Sequence, residues 1–204
     1  MFKIINYGFG NIHSILNMLE YLGFNACIIN DARDIKKEDI LILPGVGSYD
    51  NAITSLKKLG FYDILKNETH TKKIKLIGIC LGMQLMCEGS EEGNFEGLGL
   101  IRGFCKKFKN DTFIGWSKTK INYDFKDSKI LSYFSDNSRF YFLHSYYLPF
   151  NSEQTLLLGT NNLTDFTAAL NFKNIYGFQF HPERSHKFGM QIFKNLNRIF
   201  NGVF

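Results

Sequence analysis

The sequence predicts an α/β protein, one domain over residues 1–204, with a central, mostly parallel sheet, flanking helices and an added region of antiparallel strands. Three observations support this class. Short apolar runs alternate with helical patterns in the first half, aromatic and β-branched runs fill the second half, and the last segment returns to a helical pattern. Nearly continuous apolar strands separated by helices are typical of a parallel sheet covered on both faces.

The first half opens with a strand, "FKIIN" at 2–6, followed by a "GFGN" turn and a helix. Apolar residues then recur at helical spacing from Ile12 to Leu22, and Gly23 marks the stop. The later elements of this half are buried apolar strands and one amphipathic helix. They are predicted, in order, as a strand at 26–30, a strand at 39–47, a helix from about 50 to 66 and a strand at 75–79.

The second half changes character between about 98 and 180. Its short runs are "GLIRGF", "TFIGWS", "RFYFLHSYY", "TLLLGT", "FTAALNF" and "IYGFQF", and turn residues divide them. This pattern predicts antiparallel strands and hairpins appended to the parallel core. Residues 186–201 form a final helical pattern whose apolar face begins at Ile192 and Phe193.

Composition narrows the class of protein. The chain has 204 residues and 45% hydrophobic content, and its net charge of +5 is spread thinly, without a nucleic-acid-binding motif. No apolar run approaches the roughly 18 residues that a membrane span needs. The four cysteines (27, 80, 87 and 105) lack metal-ligand spacing. We therefore expect a cytoplasmic protein with reduced thiols and no metal, cofactor, nucleic acid or membrane partner.

Cys80 lies in the segment "KLIGICLGMQL", between Gly78 and Gly82. An apolar strand, then G-x-C-x-G, then a helix is the pattern of a nucleophile elbow, in which small neighbours let backbone and helix approach. The next residue, Leu81, would offer its N–H to an oxyanion, and the following helix would favour the thiolate. A small core residue beside a tight turn is the alternative at this point.

A nucleophilic cysteine needs a base and an orienting group. His181 lies in "YGFQFHPERS", at the end of an apolar strand, with Pro182 and Glu183 directly after it. A carboxylate two residues away could accept from one ring nitrogen and leave the other facing Cys80. The strand ends of a parallel sheet meet at one edge, so the two motifs can come together. A core histidine at a strand end would give the same local pattern.

The third motif is "LPGVGSYDN" at 43–51. Glycines at 45 and 47 after a strand make a loop whose backbone can approach a ligand closely. The N–H of Val46 could complete an oxyanion hole with that of Leu81. A plain strand-to-helix turn is the other interpretation of this loop.

Taken together, "PGVG", "GICLGMQLMCEGSEEG" and "YGFQFHPERS" resemble the triad-type, or class I, glutamine amidotransferase family. Within it the chain looks most like the glutaminase subunits of imidazole glycerol phosphate synthase. "NYGFGNIHSI", "GLGLIRG", "GW" and "YFLHSYY" carry this narrower likeness, which covers residues 2–200. The resemblance implies the class I glutamine amidotransferase fold and no cofactor.

The resemblance implies specific roles for residues at matching positions. Cys80 would attack the side-chain amide of L-glutamine to give a γ-glutamyl thioester and ammonia, His181 would be the general acid and base, and Glu183 would orient it. The N–H groups of Val46 and Leu81 would form the oxyanion hole, Val46 after a loop rearrangement. The implied glutamine-binding residues are Gly47, Gln84, Glu92, His144, Ser145 and Tyr146, with Glu92 suited to the α-ammonium group and the segment from His144 to Tyr146 to the α-carboxylate.

In this family the ammonia passes to a partner, a (β/α)₈-barrel cyclase that closes an imidazole ring in histidine biosynthesis. The resemblance places the partner surface at the turn 8–11 with Asn11, at the "FHPERS" segment with Arg184, and at 113–123. We expect a heterodimer, and low glutaminase activity without the partner.

The chain departs from the family pattern near that surface. Where relatives commonly have H-M-G-W-N, it has Phe113, Ile114 and Ser117 around "GW", and it has Tyr147 where some have arginine. One alternative is therefore a paralogue that supplies ammonia for amidino-sugar, or surface-polysaccharide, biosynthesis. An inactive regulatory binding subunit and a cysteine hydrolase on a related fold are further alternatives. The presence of Cys80, His181 and Glu183 argues against the inactive subunit, and "PGVG" with "SEEG" argues against the hydrolase.

Overall fold

The computed structural model describes residues 1–69, 71, 74–109 and 112–203 of the chain. Its main sheet has eight strands in the order β2-β1-β3-β4-β13-β12-β11-β8. The five strands from β2 to β13 in this order run parallel, and the last three continue the sheet as antiparallel neighbours. The predicted α/β class and mostly parallel sheet are confirmed.

The elements of the first half alternate between strand and helix. They are β1 (Phe2–Ile5), α1 (Ile12–Tyr21), β2 (Ala26–Ile29), β3 (Ile40–Leu43), α2 (Tyr49–Lys58), α3 (Phe61–Glu68), β4 (Lys75–Ile79) and α4 (Leu81–Leu85). The single helix predicted from about 50 to 66 is wrong, because Gly60 adopts a left-handed conformation (φ 75°) that ends α2 and starts α3. The apolar spacing continues across this break, which hides it in the sequence.

The second half contributes the remaining strands and the last helix. They are β5 (Gly89–Ser90), β6 (Phe104–Lys107), β7 (Phe113–Lys118), β8 (Lys120–Ile121), β9 (Arg139–His144), β10 (Tyr146–Tyr147), β11 (Thr155–Asn161), β12 (Thr164–Phe172), β13 (Ile175–Phe178) and α5 (His186–Asn201). Strands β10, β6 and β5 form a small sheet, and β7 pairs with β9.

Two predictions for this half need correction. Residues 100–103 form bends rather than a strand, because the N–H groups of Leu100 and Ile101 both donate to the Met86 carbonyl and both Gly99 and Gly103 have positive φ. The pattern that includes "IYGFQF" predicts an antiparallel strand, yet β13 pairs in parallel with β4 and antiparallel only with β12. This parallel pairing matters most for function, since it makes the carboxyl ends of β4 and β13 neighbours.

Apolar side chains cover both faces of the main sheet. One core cluster packs α2 and α3 against the sheet, with Leu56, Phe61 and Leu65 fully buried. The other places α1 and α5 on the opposite face, with Phe193 and Leu196 fully buried. The rigid sheet between the two layers fixes the ends of β3, β4 and β13, from which the candidate site is built.

Candidate active site

Cys80 occupies a strained turn at the end of β4. Its backbone has φ 52° and ψ −114°, a conformation that residues with a side chain seldom adopt. The Cys80 N–H donates to the Phe178 carbonyl of β13 at 2.7 Å, and the Cys80 carbonyl accepts from the N–H groups of Met83 and Gln84. Hydrogen bonds on both sides hold the turn in place, so the thiol is presented at one fixed point.

The two glycines beside Cys80 permit close contact between backbone segments. A Cβ atom at Gly78 would lie 2.8 Å from the backbone of Met83, and one at Gly82 would lie 1.9 Å from the Leu43 carbonyl oxygen. These positions therefore accept no side chain without movement of β3 or α4. The following helix, α4, has only five residues, so its dipole contributes less to the thiolate than a full-length helix would.

His181 and Glu183 lie beside Cys80. His181 follows β13, and Pro182–Arg184 form a 3₁₀ turn that carries Glu183 back toward the ring. The Nδ1–H of His181 donates to Glu183 Oε1 at 2.8 Å, and both side chains are almost fully buried. His181 Nε2 is buried and makes no well-formed hydrogen bond within the described residues, so it is available to Cys80.

The electrostatics of this group favour a charged pair. Burial by itself lowers the pKa of His181, but the interactions with the Cys80 sulfur and the Glu183 carboxylate outweigh it and raise the pKa to about 10. An imidazolium ion held this way stabilises a neighbouring thiolate, which is the nucleophilic form of cysteine. The geometry therefore suits nucleophilic attack by sulfur followed by proton transfer from the imidazole.

A cavity of about 280 Å³ opens beside Cys80. The residues predicted for the oxyanion hole and for glutamine all line it, together with Cys80. They are Val46, Gly47, Leu81, Gln84, Glu92, His144, Ser145 and Tyr146. Thr112 and Leu143, which were not predicted, line it as well. The Thr112 hydroxyl contacts the Ser145 hydroxyl at 2.7 Å, and the Leu143 carbonyl accepts from the Cys80 thiol at 3.6 Å.

The predicted oxyanion hole is not formed in this conformation. The Leu81 N–H donates to the Gly45 carbonyl oxygen at 3.3 Å, so it is not free to bind an oxyanion. Gly45 packs closely on this turn, since a Cβ there would lie 2.6 Å from the Gly82 nitrogen. A rotation of the peptide after Gly45 would remove its carbonyl from Leu81 and turn the Val46 N–H toward the cavity.

Glu92 and His144 differ in charge at the cavity wall. Glu92 Oε1 accepts from the Tyr49 N–H at 3.2 Å, and burial together with nearby Asp50 raises the pKa of Glu92. Burial lowers the pKa of His144 to about 4, so this ring is neutral near pH 7. Its Nδ1–H donates to the Tyr146 carbonyl at 2.8 Å. The cavity thus offers one carboxylate for a cationic group of a ligand.

The two predicted interface residues lie outside the cavity. Asn11 is half-buried just before α1, and Arg184 is exposed, with its guanidinium 5.7 Å from the centre of the Tyr141 ring. Helix α1 packs beside the Pro182–Arg184 turn, so the two residues belong to neighbouring elements.

Sequence reasoning missed one buried polar residue of the site. Gln179 is fully buried between β13 and His181, and its amide nitrogen lies 3.7 Å from Cys80 Sγ. A signal was present, because a glutamine in the apolar run "IYGFQF" lies two positions before His181, and alternate residues of a strand share a face. The contact from the Leu143 carbonyl could not be predicted from the sequence, because every residue type has a backbone carbonyl.

No metal centre is indicated among the residues that the structure describes. Within residues 1–69, 71, 74–109 and 112–203, no group of three or more His, Cys, Asp or Glu side chains is arranged to hold a metal ion. In the same part of the chain, no helix has the length and apolar content needed to cross a membrane.

The fold and this arrangement around Cys80 agree with the comparison to known families. The model of the family "Glutamine amidotransferase class-I" matches residues 3–198, and the chain belongs to this family. Among curated relatives, imidazole glycerol phosphate synthase subunit HisH 2 of Methanococcus maripaludis is 46% identical over 96% of this chain and 98% of its own length. The subunit HisH 2 of Pseudomonas aeruginosa is 42% identical over the same shares.

A solved structure shares the fold at lower identity. The structure of PurLQS from Thermotoga maritima contains a chain that superposes with a TM-score of 0.73 at 19% identity. The match covers 97% of this chain and 98% of that one. At this identity the likeness shows the common architecture alone.

Proposed function

We propose that residues 1–204 form one glutaminase domain that hydrolyses L-glutamine to glutamate and ammonia through a Cys80 thioester. One observation carries the proposal: the thiol stands on a strained turn beside a buried His181–Glu183 pair and at the wall of a cavity of about 280 Å³. Membership of the class I glutamine amidotransferase family and the names of the relatives support the same activity.

The reaction follows from the positions of these groups. The Cys80 thiolate attacks the side-chain carbonyl carbon of glutamine, and the Val46 and Leu81 N–H groups receive the oxyanion after the Gly45 carbonyl turns away. His181 gives its Nε2 proton to the leaving nitrogen, so the C–N bond breaks and ammonia departs. His181 then accepts a proton from water, which attacks the thioester and releases glutamate and the thiolate.

Glutamine fits the remaining groups by charge. Glu92 receives the α-ammonium group, and Gly47, Gln84 and the segment His144–Tyr146 surround the rest of the amino acid. No lysine or arginine lines the described cavity, so the α-carboxylate would be held by backbone N–H groups and hydroxyls. Both the size of the cavity and its single carboxylate suit a small amino acid better than a peptide.

The ammonia passes to a second subunit in this proposal, a (β/α)₈-barrel cyclase of an imidazole glycerol phosphate synthase. Exposed apolar side chains support a docking face beside the site: Ile114 is 62% exposed and Trp116 47%. The ring centroids of Trp116 and Tyr141 lie 6.2 Å apart, and the Tyr141 carbonyl accepts from the backbone N–H of His181. A partner bound at Trp116 and Arg184 would thus contact the side chains that pack on the catalytic histidine.

The activity is tested with the purified chain, alone and with the subunit that copurifies with it. We expect Cys80→Ala to abolish glutamate formation, and diazo-oxo-norleucine, a glutamine analogue, to label Cys80 in the wild type. Mass spectrometry locates the label. A folded chain that neither hydrolyses glutamine with its partner nor takes the label at Cys80 would instead be a regulatory binding subunit.

A second acceptor of ammonia is favoured by the docking face itself. Phe113, Ile114 and Ser117 depart from the family pattern, and the two relatives described above carry the number 2 in their names. Both facts fit a paralogue that supplies ammonia to amidino-sugar synthesis. Identification of the copurifying subunit separates the two, because a barrel cyclase supports the histidine route and a sugar-modifying synthase supports the paralogue.

A further inference from the structure

Gln179 contacts the sulfur of Cys80 from the side of β13. Its side chain is fully buried, and its amide Nε2–H₂ donates to Cys80 Sγ over 3.7 Å, a normal length for a hydrogen bond to sulfur. The amide oxygen Oε1 accepts from Gln84 Nε2 at 3.0 Å. Both ends of this buried amide therefore have a partner, and one partner is the reacting atom.

The orientation of the Gln179 amide is set by a backbone group two hydrogen bonds away, the Tyr146 carbonyl. Gln84 Nε2 also donates to the Tyr146 carbonyl at 2.8 Å, and a carbonyl oxygen can only accept. The amide nitrogen of Gln84 must therefore face both Tyr146 and Gln179. Consequently Gln179 presents its oxygen to Gln84 and its N–H₂ group to Cys80. Both N–H bonds of Gln84 are used in this way, which leaves only its oxygen to accept from a ligand.

Two groups with opposite effects contact the thiol. The Leu143 carbonyl at 3.6 Å accepts from S–H and so favours the neutral thiol, because an oxygen lone pair repels a thiolate. The Gln179 N–H favours the thiolate, since a donor stabilises negative charge, and more strongly in a buried site than in water. Removal of Gln179 would leave His181 as the remaining described side chain that opposes the carbonyl at this sulfur.

We propose that Gln179 is a catalytic residue that donates a hydrogen bond to the Cys80 thiolate, and that Gln84 is the positioning residue that fixes the orientation of its amide. The inference rests on the proposed thioester chemistry. The bond would hold the sulfur on its line of approach to the substrate and would stabilise it as the leaving group when the thioester is hydrolysed. His181 and Tyr7 are the titratable side chains coupled to Cys80 by charge, and Glu92 and His144 share its cavity.

The test measures the reactivity of Cys80 without glutamine. Wild type, Gln179→Met and Gln179→Glu are treated with iodoacetamide between pH 5 and 9, and modification of the Cys80 peptide is followed by mass spectrometry. Methionine keeps the length of the side chain and removes the donor. We expect the pH of half-maximal alkylation in Gln179→Met to rise by about one unit, which is about a tenfold lower rate at pH values well below the wild-type midpoint. Gln179→Glu should shift it further in the same direction.

Gln154→Met is the matched control. Gln154 is also buried, and its Nε2 donates to the Arg102 carbonyl at 3.0 Å, away from the cavity. This variant loses a buried amide as well, so it should lower the melting temperature by a similar amount while Cys80 alkylates as in the wild type. In the complex with the partner, Gln179→Met should lower kcat about 10- to 100-fold, with a smaller change in KM, because the bond acts on the nucleophile.

Gln84→Met covers the case in which the Gln179 variants do not fold. It removes the donor that orients Gln179, and alkylation should shift in the same direction by a smaller amount. The proposal is overturned if folded Gln179→Met alkylates with the wild-type pH profile, or if it and Gln154→Met change alkylation equally. Failure of the proposed function would look different, because the wild-type complex would then form no glutamate and diazo-oxo-norleucine would not label Cys80, whatever the alkylation profiles of the variants.

Discussion

Gly82→Ala tests whether the glycine after Cys80 is required by the close approach of two backbone segments. An added Cβ would lie 1.9 Å from the Leu43 carbonyl oxygen and 2.8 Å from its carbon. The end of β3 and the start of α4 would have to separate by more than an ångström before an ordinary contact is reached. Neither partner is a flexible side chain, so no change of rotamer relieves the clash.

The magnitude follows from this separation. Overpacking of a well-packed site costs about 1–3 kcal/mol, and loss of the bond between Leu81 N–H and the Gly45 carbonyl adds about 1 kcal/mol. A total of about 3 kcal/mol in a chain of this size lowers the melting temperature by about 6–12 °C. Displacement of Cys80 by about 1 Å should lower kcat about 100-fold.

Circular dichroism during thermal unfolding measures the change in melting temperature. Glutamate release by the complex measures the change in kcat. Gly99→Ala is the control, because Gly99 has φ 64° and an added Cβ there meets no described atom within 4 Å. An alanine in this left-handed conformation should lower the free energy of unfolding by about 1–2 kcal/mol. The activity of the variant should equal that of the wild type. Gly82→Ala with the melting temperature of the wild type, or with no more effect than Gly99→Ala, would refute the steric argument.

Three further predictions concern charge. Glu183→Gln should lower kcat by about 10²–10⁴-fold, because His181 loses its buried carboxylate; unchanged kcat in a pH series would contradict this. Burial lowers the pKa of His144 to about 4. The contribution of the neutral ring to the free energy of unfolding is therefore present above about pH 6.5 and is lost as the pH falls toward 4. His144→Leu should reduce this loss of stability at acid pH, measured by urea unfolding. Asp50→Asn should lower the pKa of Glu92 and extend tight glutamine binding to lower pH, measured as KM against pH, with Asp50→Glu as the control that keeps the charge.

Much of the site could be predicted because its chemistry is local in sequence. The elbow was evident from Gly78 and Gly82 around Cys80, and each glycine indeed adjoins a backbone group that would clash with a Cβ. His181 and Glu183 could be paired because only one residue separates them. The mostly parallel sheet followed from the alternation of apolar strands with helices.

The remaining features depend on contacts between distant segments. The parallel direction of β13 is set by its neighbour β4, which the local pattern of "IYGFQF" does not encode. The break at Gly60 is hidden because the apolar spacing continues from α2 into α3. The bond from Leu81 to Gly45 and the amide orientation of Gln179 depend on three-dimensional placement of backbone carbonyls.

The loop between β3 and α2 is anchored at both ends, which bears on the speed of activation. The Tyr7 hydroxyl donates to the Pro44 carbonyl at 2.6 Å, and Glu92 accepts from the Tyr49 N–H. Only residues 45–48 lie between these anchors, so a turn of the Gly45 peptide moves a short stretch of backbone and no domain. Loop motions of this kind take nanoseconds to microseconds, whereas enzyme turnover takes about a millisecond to a second. Opening of the oxyanion hole would therefore equilibrate many times within each catalytic cycle, and a partner could control activity through the population of the open loop rather than through its rate of opening.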